Sequence, residues 1–305
     1  MRRTSRFRAL VEAPEILEMP GVQDALTARI AAEAGFEAIT CGGYASTAAL
    51  IGEPDTSQLS MRELADHYAR ICDAVDVPVF ADADTGFGNV TNTRRAVRAY
   101  EQAGVAGLFI EDQVFPKRCG HMAGKAVVPV EDMVAKLQAA LDARRDPDLV
   151  IMARTDALAV DGIEAAIDRA CLYRELGADM VFVEAPRTVE QMRRICAAVQ
   201  APLLANNIEG GLTPMLTAAE LEEIGYAVVT HPVALTYAVA RAARDLFATL
   251  RRDGITTAFA DRMLDFDGFN QLVGLPDLRA REQAYLDQAA RVIAGRPHPD
   301  QETGE

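Results

Sequence analysis

Val77-Pro78-Val79-Phe80-Ala81-Asp82-Ala83-Asp84-Thr85-Gly86-Phe87-Gly88 reads as an apolar strand that ends on two carboxylates and leaves through a glycine-rich turn. The same unit recurs on both sides of it. Short apolar or β-branched runs predict eight strands, at 16–19, 38–41, 77–81, 107–110, 150–153, 180–183, 202–205 and 227–230. Helical spacing rich in Ala, Arg and Glu fills 24–34, 61–75, 92–103, 130–144, 163–176 and 189–199. Several of these segments stop at a glycine before the next strand, as at Gly35, Gly104 and Gly177. Apolar strands alternating with amphipathic helices form a parallel sheet covered by helices. Eight such units predict an α/β fold of the closed (β/α)8 TIM-barrel type rather than an open doubly wound sheet. Polar residues agree with this, because Asp82 and Asp84, Glu111 and Asp112, Arg154 and Asp156, Glu184, and Asn206 with Glu209 all follow strands. A barrel gathers such positions on the face that carries its active site.

Composition narrows the function. With 31 basic against 45 acidic side chains among 305 residues, the formal charge is -14, which disfavours nucleic acid and acidic membranes as partners. The sequence shows neither a membrane-length apolar run nor a secretory signal, so a cytoplasmic location is expected. Five cysteines, an odd number, suit reduced thiols; Cys41, Cys72, Cys171 and Cys196 are expected as small buried fillers. Arg2, Arg3, Arg6 and Arg8 are read as a solvated leader, and His67 as part of a solvated helix face. The expected organisation is a catalytic barrel over 1–255, a helical extension over 256–295 that packs on another subunit, and a disordered tail over 296–305.

Asp82 and Asp84 stand at alternate positions leaving one strand, and Glu111 adds a carboxylate from the next. An all-oxygen set without a nearby His or Cys pair predicts a hard cation, Mg²⁺ or Mn²⁺, rather than Zn²⁺. Gly86-x-Gly88 is no dinucleotide loop, since Thr91 replaces the third glycine. After the Glu111 strand comes Lys117-Arg118-Cys119-Gly120-His121-Met122-Ala123-Gly124-Lys125, a polar loop one residue short of a phosphate-binding loop. Its flanking cations are expected to favour the Cys119 thiolate, making this residue a proton exchanger near neutral pH.

These residues resemble the isocitrate lyase and phosphoenolpyruvate mutase superfamily. Lys117-Arg118-Cys119-Gly120-His121 matches the loop of its cysteine-dependent carbon-carbon lyases. The likeness continues through Gly52-x-Pro54-Asp55, Asp82-x-Asp84-x-Gly86, Ile110-Glu111-Asp112-Gln113, Ala153-Arg154-Thr155-Asp156-Ala157, Glu184-Ala185, Asn206-x-x-Glu209 and His231-Pro232. It implies a barrel whose C-terminal helices are swapped between subunits, usually in a homotetramer. It also implies Mg²⁺ held through Asp82 and Asp84 with Glu111 and Asp55 in support. Arg154 would clamp a substrate carboxylate, Asn206 and Glu184 would position the rest, and Cys119 would protonate the departing enolate. Gly42, Gly43, Tyr44, Gly120, His121 and Glu209 complete the expected substrate contacts, with Tyr44 also a candidate catalytic group.

Within the superfamily, methylisocitrate lyases resemble this chain but carry Arg where Met122 and Tyr237 stand here. Fewer cations imply fewer carboxylates. The loop looks most like that of the 2,3-dimethylmalate lyases, so cleavage of a substituted 2-hydroxy dicarboxylate to pyruvate and propionate is expected. Methylisocitrate cleavage to pyruvate and succinate, or hydrolysis or decarboxylation of oxaloacetate, is the alternative. Gly42-Gly43-Tyr44 departs from the Ser or Thr that relatives place before a glycine, which leaves the general base open between Tyr44 and no assigned group. Ser46 or Thr47 would restore the missing hydroxyl contact.

Overall fold

The structure is a computed structural model that describes residues 1–294. Its eight strands are β1 Leu17–Pro20, β2 Ile39–Cys41, β3 Val79–Asp82, β4 Gly107–Glu111, β5 Val150–Thr155, β6 Met180–Val183, β7 Leu204–Asn206 and β8 Val228–His231. All of them pair in parallel, in one sheet ordered β2-β3-β4-β5-β6 and another ordered β1-β8-β7. Single parallel bridges lie at the two seams, Gly21 to Thr40 and Val181 to Leu203. The result is an α/β fold of TIM-barrel-like architecture.

The helices are α1 Arg3–Val11, α2 Ala25–Glu33, α3 Gly43–Ile51, α4 Met61–Ala74, α5 Val90–Ala103, α6 Val130–Ala143, α7 Ala157–Val160, α8 Ile163–Glu175, α9 Val189–Ala198, α10 Ala218–Ile224, α11 Ala234–Asp253, α12 Phe266–Leu272 and α13 Leu275–Ala294. All eight expected strands are present, and their ends differ for a physical reason. β3, β4 and β5 run on into Asp82, Glu111 and Thr155 because the ladder continues under the polar residues, pairing Asp82 with Phe109 and Glu111 with Arg154. α5 begins at Val90 rather than Asn92, since the Asn89 side chain accepts from the N–H groups of Thr91 and Asn92 and so caps the helix.

Contacts divide the chain into two compact units, Met1–Ala243 and a second beginning at Arg244. This division falls inside α11, ahead of the boundary expected at 255. The second unit contains a 3-10 turn (Thr257–Arg262), α12 and α13; Phe266, Tyr285 and Leu286 stand exposed. The expected disordered tail, 296–305, lies outside the described residues, as does His298. Among the described residues no helix is long and apolar enough to cross a membrane.

The arginine-rich start is no solvated leader. It forms α1, whose Phe7 and Val11 are buried while its arginines lie along the surface. Phe7 stacks on Phe80 of β3 at 5.4 Å between ring centroids. A Cβ at Gly107 would come within 2.9 Å of the Phe7 ring, so only glycine at the start of β4 admits this packing. Arg2 reaches Asp146 and Asp148, and Arg8 reaches Asp179 at 2.8 Å. The apolar pair with its charged flank thus seats α1 across the N-terminal strand ends.

His67 is likewise buried within α4, its Nε2 3.8 Å from Cys41 Sγ. Burial lowers its pKa, which keeps the ring neutral. All five cysteines are free; Cys41 and Cys72 are buried as expected, whereas Cys171 and Cys196 remain partly exposed. Replacing Phe7 by Ala removes the ring that fills the strand bottom and should cost about 3–5 kcal/mol of stability. Equilibrium urea unfolding measures this, and a loss below roughly 1 kcal/mol would show that α1 is peripheral.

Candidate active site

The C-terminal strand ends surround a cavity with about 630 Å³ of atom-free space, open to solvent at its mouth. Phe80, Phe109, Met152, Phe182 and Leu204 make an apolar floor. Of the expected site residues, Gly42, Gly43, Tyr44, Asp55, Asp82, Cys119, Gly120, His121, Arg154, Glu184 and Asn206 line it. Asp84 and Glu111 lie buried beside it, and Glu209 is not part of the wall.

Two strands and one loop bring these carboxylates together. Asp82 ends β3 and Glu111 ends β4; Asp84 follows in the left-handed region (φ 47°), and Asp55 comes from the loop after α3. Asp82 is pinned by N–H donors, from Gly43 at the first turn of α3 and from Asp84, both at 2.8 Å. A helix N-terminus favours such an anion. Helix α3 itself was hidden in the sequence by its Gly42-Gly43 start. It turns Ser46 and Thr47 away from the cavity, onto the carbonyls of Gly42 and Gly43, so neither hydroxyl replaces the missing contact.

Lys117 enters this carboxylate group. Its Nζ lies 2.8 Å from Asp55 Oδ2 and 3.0 Å from Asp84 Oδ1, with the side chain almost wholly buried. Burial alone would lower its pKa, but Asp84, Asp82, Glu111 and Asp55 outweigh it and hold the ammonium charged. Burial pushes Asp84 up to about 6, a shift that Lys117 opposes and that Asp82 and Asp55 reinforce. Glu111 is raised well above the ordinary carboxylate value, again through burial, despite Arg154 and Lys117.

Arg154, near the end of β5, stands among three carboxylates. Its Nη1 is 3.2 Å from Glu111 Oε2, its Nε donates to Asp156 Oδ2 at 2.9 Å, and its Nη2 lies 3.5 Å from Glu184 Oε2. The rings of Phe109 and Phe182 flank the guanidinium at 5.9 and 5.4 Å. Burial would raise Glu184 and Asp156, yet Arg154 outweighs it at both, with His121 helping at Glu184 and Lys125 at Asp156. Both are therefore held below the usual carboxylate range.

The Lys117–Lys125 loop lies closed over these groups. His121 Nδ1 accepts from the Leu212 N–H at 2.9 Å, and its Nε2 faces Glu184 Oε1 at 2.8 Å. The loop therefore touches the residue that follows β6 and the segment after β7. A Cβ at Gly120 would meet Arg154 Nη2 at 2.4 Å and Glu184 Cδ at 2.5 Å, so only glycine lets the loop lie flat on the guanidinium.

Cys119 does not have the cationic surroundings that its sequence neighbours suggest. Lys117 turns to Asp55 and Asp84, Arg118 donates to the Ala123 carbonyl at 3.1 Å, and His121 turns to Glu184. Burial dominates and pushes the Cys119 thiol up, with Glu184 and Asp55 adding to the rise. The residue is thus a protonated thiol over the cavity rather than a ready thiolate.

Tyr44 meets Tyr237 of α11 edge-on at 6.2 Å between ring centroids. The hydrogen bond between them is the main cause that pushes Tyr237 up to about 12; Cys119 and Glu209 add to it. Asn206 Oδ1 accepts from Thr230 Oγ1. Lys117, Lys125 and Asp156 also belong to the site, although the sequence assigned none of them a role in binding or catalysis there. The signal for Asp156 was its position two residues past Arg154, which lets its carboxylate fold back on the guanidinium.

Comparison with known proteins agrees with this geometry. The phosphoenolpyruvate phosphomutase family matches residues 7–251. The 2,3-dimethylmalate lyase of Eubacterium barkeri is 44% identical over 285 residues, which cover 93% of this chain and 99% of that protein. A 2-methylisocitrate lyase of Aeropyrum pernix is 41% identical over 298 residues, covering 98% of this chain and 95% of that one. Among solved structures, an oxaloacetate acetylhydrolase with 3,3-difluorooxalacetate aligns with a TM-score of 0.88 at 33% identity, over 93% of this chain and 97% of the other. A 2,3-dimethylmalate lyase of the PEP mutase/isocitrate lyase superfamily aligns at 0.87 and 35%, over 93% and 96%. A phosphonopyruvate hydrolase holding oxalate and Mg²⁺ aligns at 0.85 and 30%, over 94% and 100%. By its sequence and its fold, the chain belongs to the phosphoenolpyruvate phosphomutase family.

Proposed function

We propose that this protein is a Mg²⁺-dependent carbon-carbon lyase that cleaves a substituted 2-hydroxy dicarboxylate of the 2,3-dimethylmalate type to pyruvate and a short carboxylate such as propionate. One observation carries this reading: the protonated Cys119 thiol hangs over a cavity that joins a buried cation-carboxylate rim to an apolar floor. The rim suits the carboxylates of such a substrate and the floor suits its alkyl groups. The 44% identity to a 2,3-dimethylmalate lyase over nearly the whole chain supports the substrate class.

The donor set fits the expected ion. Asp84 Oδ1 and both carboxylate oxygens of Glu111 are buried without an aligned hydrogen bond, although Lys117 and Arg154 lie close to Asp84 Oδ1 and Glu111 Oε2. Among the described residues no three His, Cys, Asp or Glu side chains gather around one point as they would round a bare ion. Their all-oxygen chemistry suits Mg²⁺, which keeps several of its waters. Asp82, Asp84, Glu111 and Asp55 would hold it. The bound ion supplies positive charge for a 2-hydroxy acid and its 2-oxo product.

The chain's own residues do the rest. Arg154 holds a substrate carboxylate, Glu184 and Asn206 orient the substrate, and the closed Lys117–Lys125 loop excludes water from the breaking bond. Cys119 Sγ–H then delivers its proton to the departing carbon. Tyr44 stands at the mouth with its hydroxyl tied to Tyr237, and in its phenolate form it would be the candidate to accept the proton of the substrate hydroxyl, becoming the neutral phenol. The eight strands form a closed barrel in this reading, and the exposed apolar side chains of α12 and α13 pack on another subunit in a swapped homotetramer working in the cytoplasm.

A coupled pyruvate assay over substituted malates and citrates with Mg²⁺ tests the substrate. Turnover of 2,3-dimethylmalate above all others is expected. Efficient 2-methylisocitrate cleavage without dimethylmalate activity would reverse the ranking, and release of oxalate and acetate from oxaloacetate would make the protein a hydrolase like its structural neighbour. Cys119→Ser should lower kcat by roughly 10²–10⁴-fold; near wild-type turnover would remove the thiol from the mechanism. Asp84, with its raised value of about 6, carries a proton below that pH which the ion must displace. Mn²⁺ affinity, followed by electron paramagnetic resonance, should therefore weaken as pH falls through about 6. A flat profile from about pH 5 to 7 would show that Asp84 is no ligand.

A further inference from the structure

Lys125 is the one loop cation whose partner lies behind the substrate clamp rather than in the cavity wall. Its side chain is 3% exposed, and its Nζ lies 2.7 Å from Asp156 Oδ1. It also donates to the Gly120 carbonyl within its own loop. Asp156 in turn grips Arg154 with both oxygens, through Nε at 2.9 Å and Nη2 at 3.2 Å. The three residues form a line from loop to clamp: Lys125, Asp156, Arg154.

Asp156 has no freedom to leave this line. Its backbone N–H donates to Asp112 Oδ1 at 2.9 Å. Asp112 is itself fixed, because it also accepts from Thr155 Oγ1 at 2.7 Å, Tyr173 OH at 3.0 Å and Arg169 Nη1 at 3.1 Å. The negative charge on Asp156 is therefore held at a fixed point against the guanidinium.

Charge around Arg154 explains why a further cation matters. One guanidinium faces Glu111, Asp156 and Glu184. An incoming substrate carboxylate would add a further anion to a single cation that Asp156 and Glu184 already share. Without help, Asp156 would occupy the guanidinium's charge and repel the substrate across a poorly screened interior. His121 answers Glu184 and Lys125 answers Asp156, and both arrive only on the loop.

We propose that Lys125 is a positioning residue for the substrate anion: by neutralising Asp156 when the loop is closed, it frees the charge of Arg154 for a substrate carboxylate. This rests on the reading of Arg154 as the carboxylate clamp. It makes substrate affinity, rather than the proton transfer from Cys119, the quantity that Lys125 controls. Closing the loop and charging the clamp become one event.

Two readouts test it, one of them independent of turnover. Lys125→Met should raise KM for the best substrate, and the dissociation constant of oxalate measured by titration calorimetry with Mg²⁺, roughly tenfold or more, the scale of one charge interaction in a partly screened interior. kcat should stay within about threefold, and Lys125→Arg should restore both affinities. In an Asp156→Asn background the same Lys125→Met change should cost little oxalate affinity, because the charge it balances is gone. Unchanged oxalate affinity in Lys125→Met would overturn the proposal, and so would a loss confined to kcat or an equal defect in Lys125→Arg. Full additivity with Asp156→Asn would also overturn it, since Lys125 would then only pin the loop through Gly120. A wild-type protein that binds oxalate and loses that binding in Lys125→Met, yet cleaves no diacid, would refute the lyase reading while supporting this one.

Discussion

Burial of six carboxyl groups around the C-terminal ends of parallel strands is the constraint to which the rest of this molecule answers. Asp55, Asp82, Asp84, Glu111, Asp156 and Glu184 are each no more than 5% exposed. An isolated charge in such a place is far costlier than any single packing contact. The first turn of α3 answers Asp82 with a backbone N–H, Arg154 answers three of the carboxylates, and the loop answers with Lys117, His121 and Lys125. The loop is basic because the surface it covers is acidic.

This arrangement makes charge balance and access to the cavity the same variable. The loop satisfies the carboxylates from above, and in the proposed mechanism its opening would leave them to water or to a bound cation. The apolar floor sharpens the effect, since Phe80, Phe109, Met152 and Phe182 lower the local polarity beneath the charged groups. Phe80 also belongs to the packing around Phe7, so α1 at the opposite end of the strands supports the floor on which substrate would rest. Stability at the bottom and chemistry at the top thus share one row of aromatic side chains.

Much of the fold was legible because strands and helices follow local rules. Period-2 and period-3.6 apolar patterns located all eight strands, and polar residues after five of them placed Asp82, Arg154, Glu184 and Asn206 at the cavity, whereas Gly42, Gly43, Tyr44, Asp55, Gly120 and His121 were legible through the family resemblance. The errors have equally local causes. Three arginines in α1, with Arg2 just before it, masked the buried Phe7 and Val11; two glycines masked the start of α3; charged neighbours on α4 masked a His67 that faces the interior.

The sequence by itself determined which residues would stand at the strand ends, because strand periodicity and the alternation of elements need no knowledge of distant partners. Only the tertiary structure decided which charge answers which. Lys117 was expected to serve its neighbour Cys119, yet it meets Asp55, 62 residues away; Lys125 meets Asp156, 31 residues away. Side chains pair by distance and burial in space, where a neighbour in sequence competes on equal terms with any residue the fold brings near. That competition also set the state of Cys119, whose cationic neighbours found stronger partners and left burial to keep the thiol protonated.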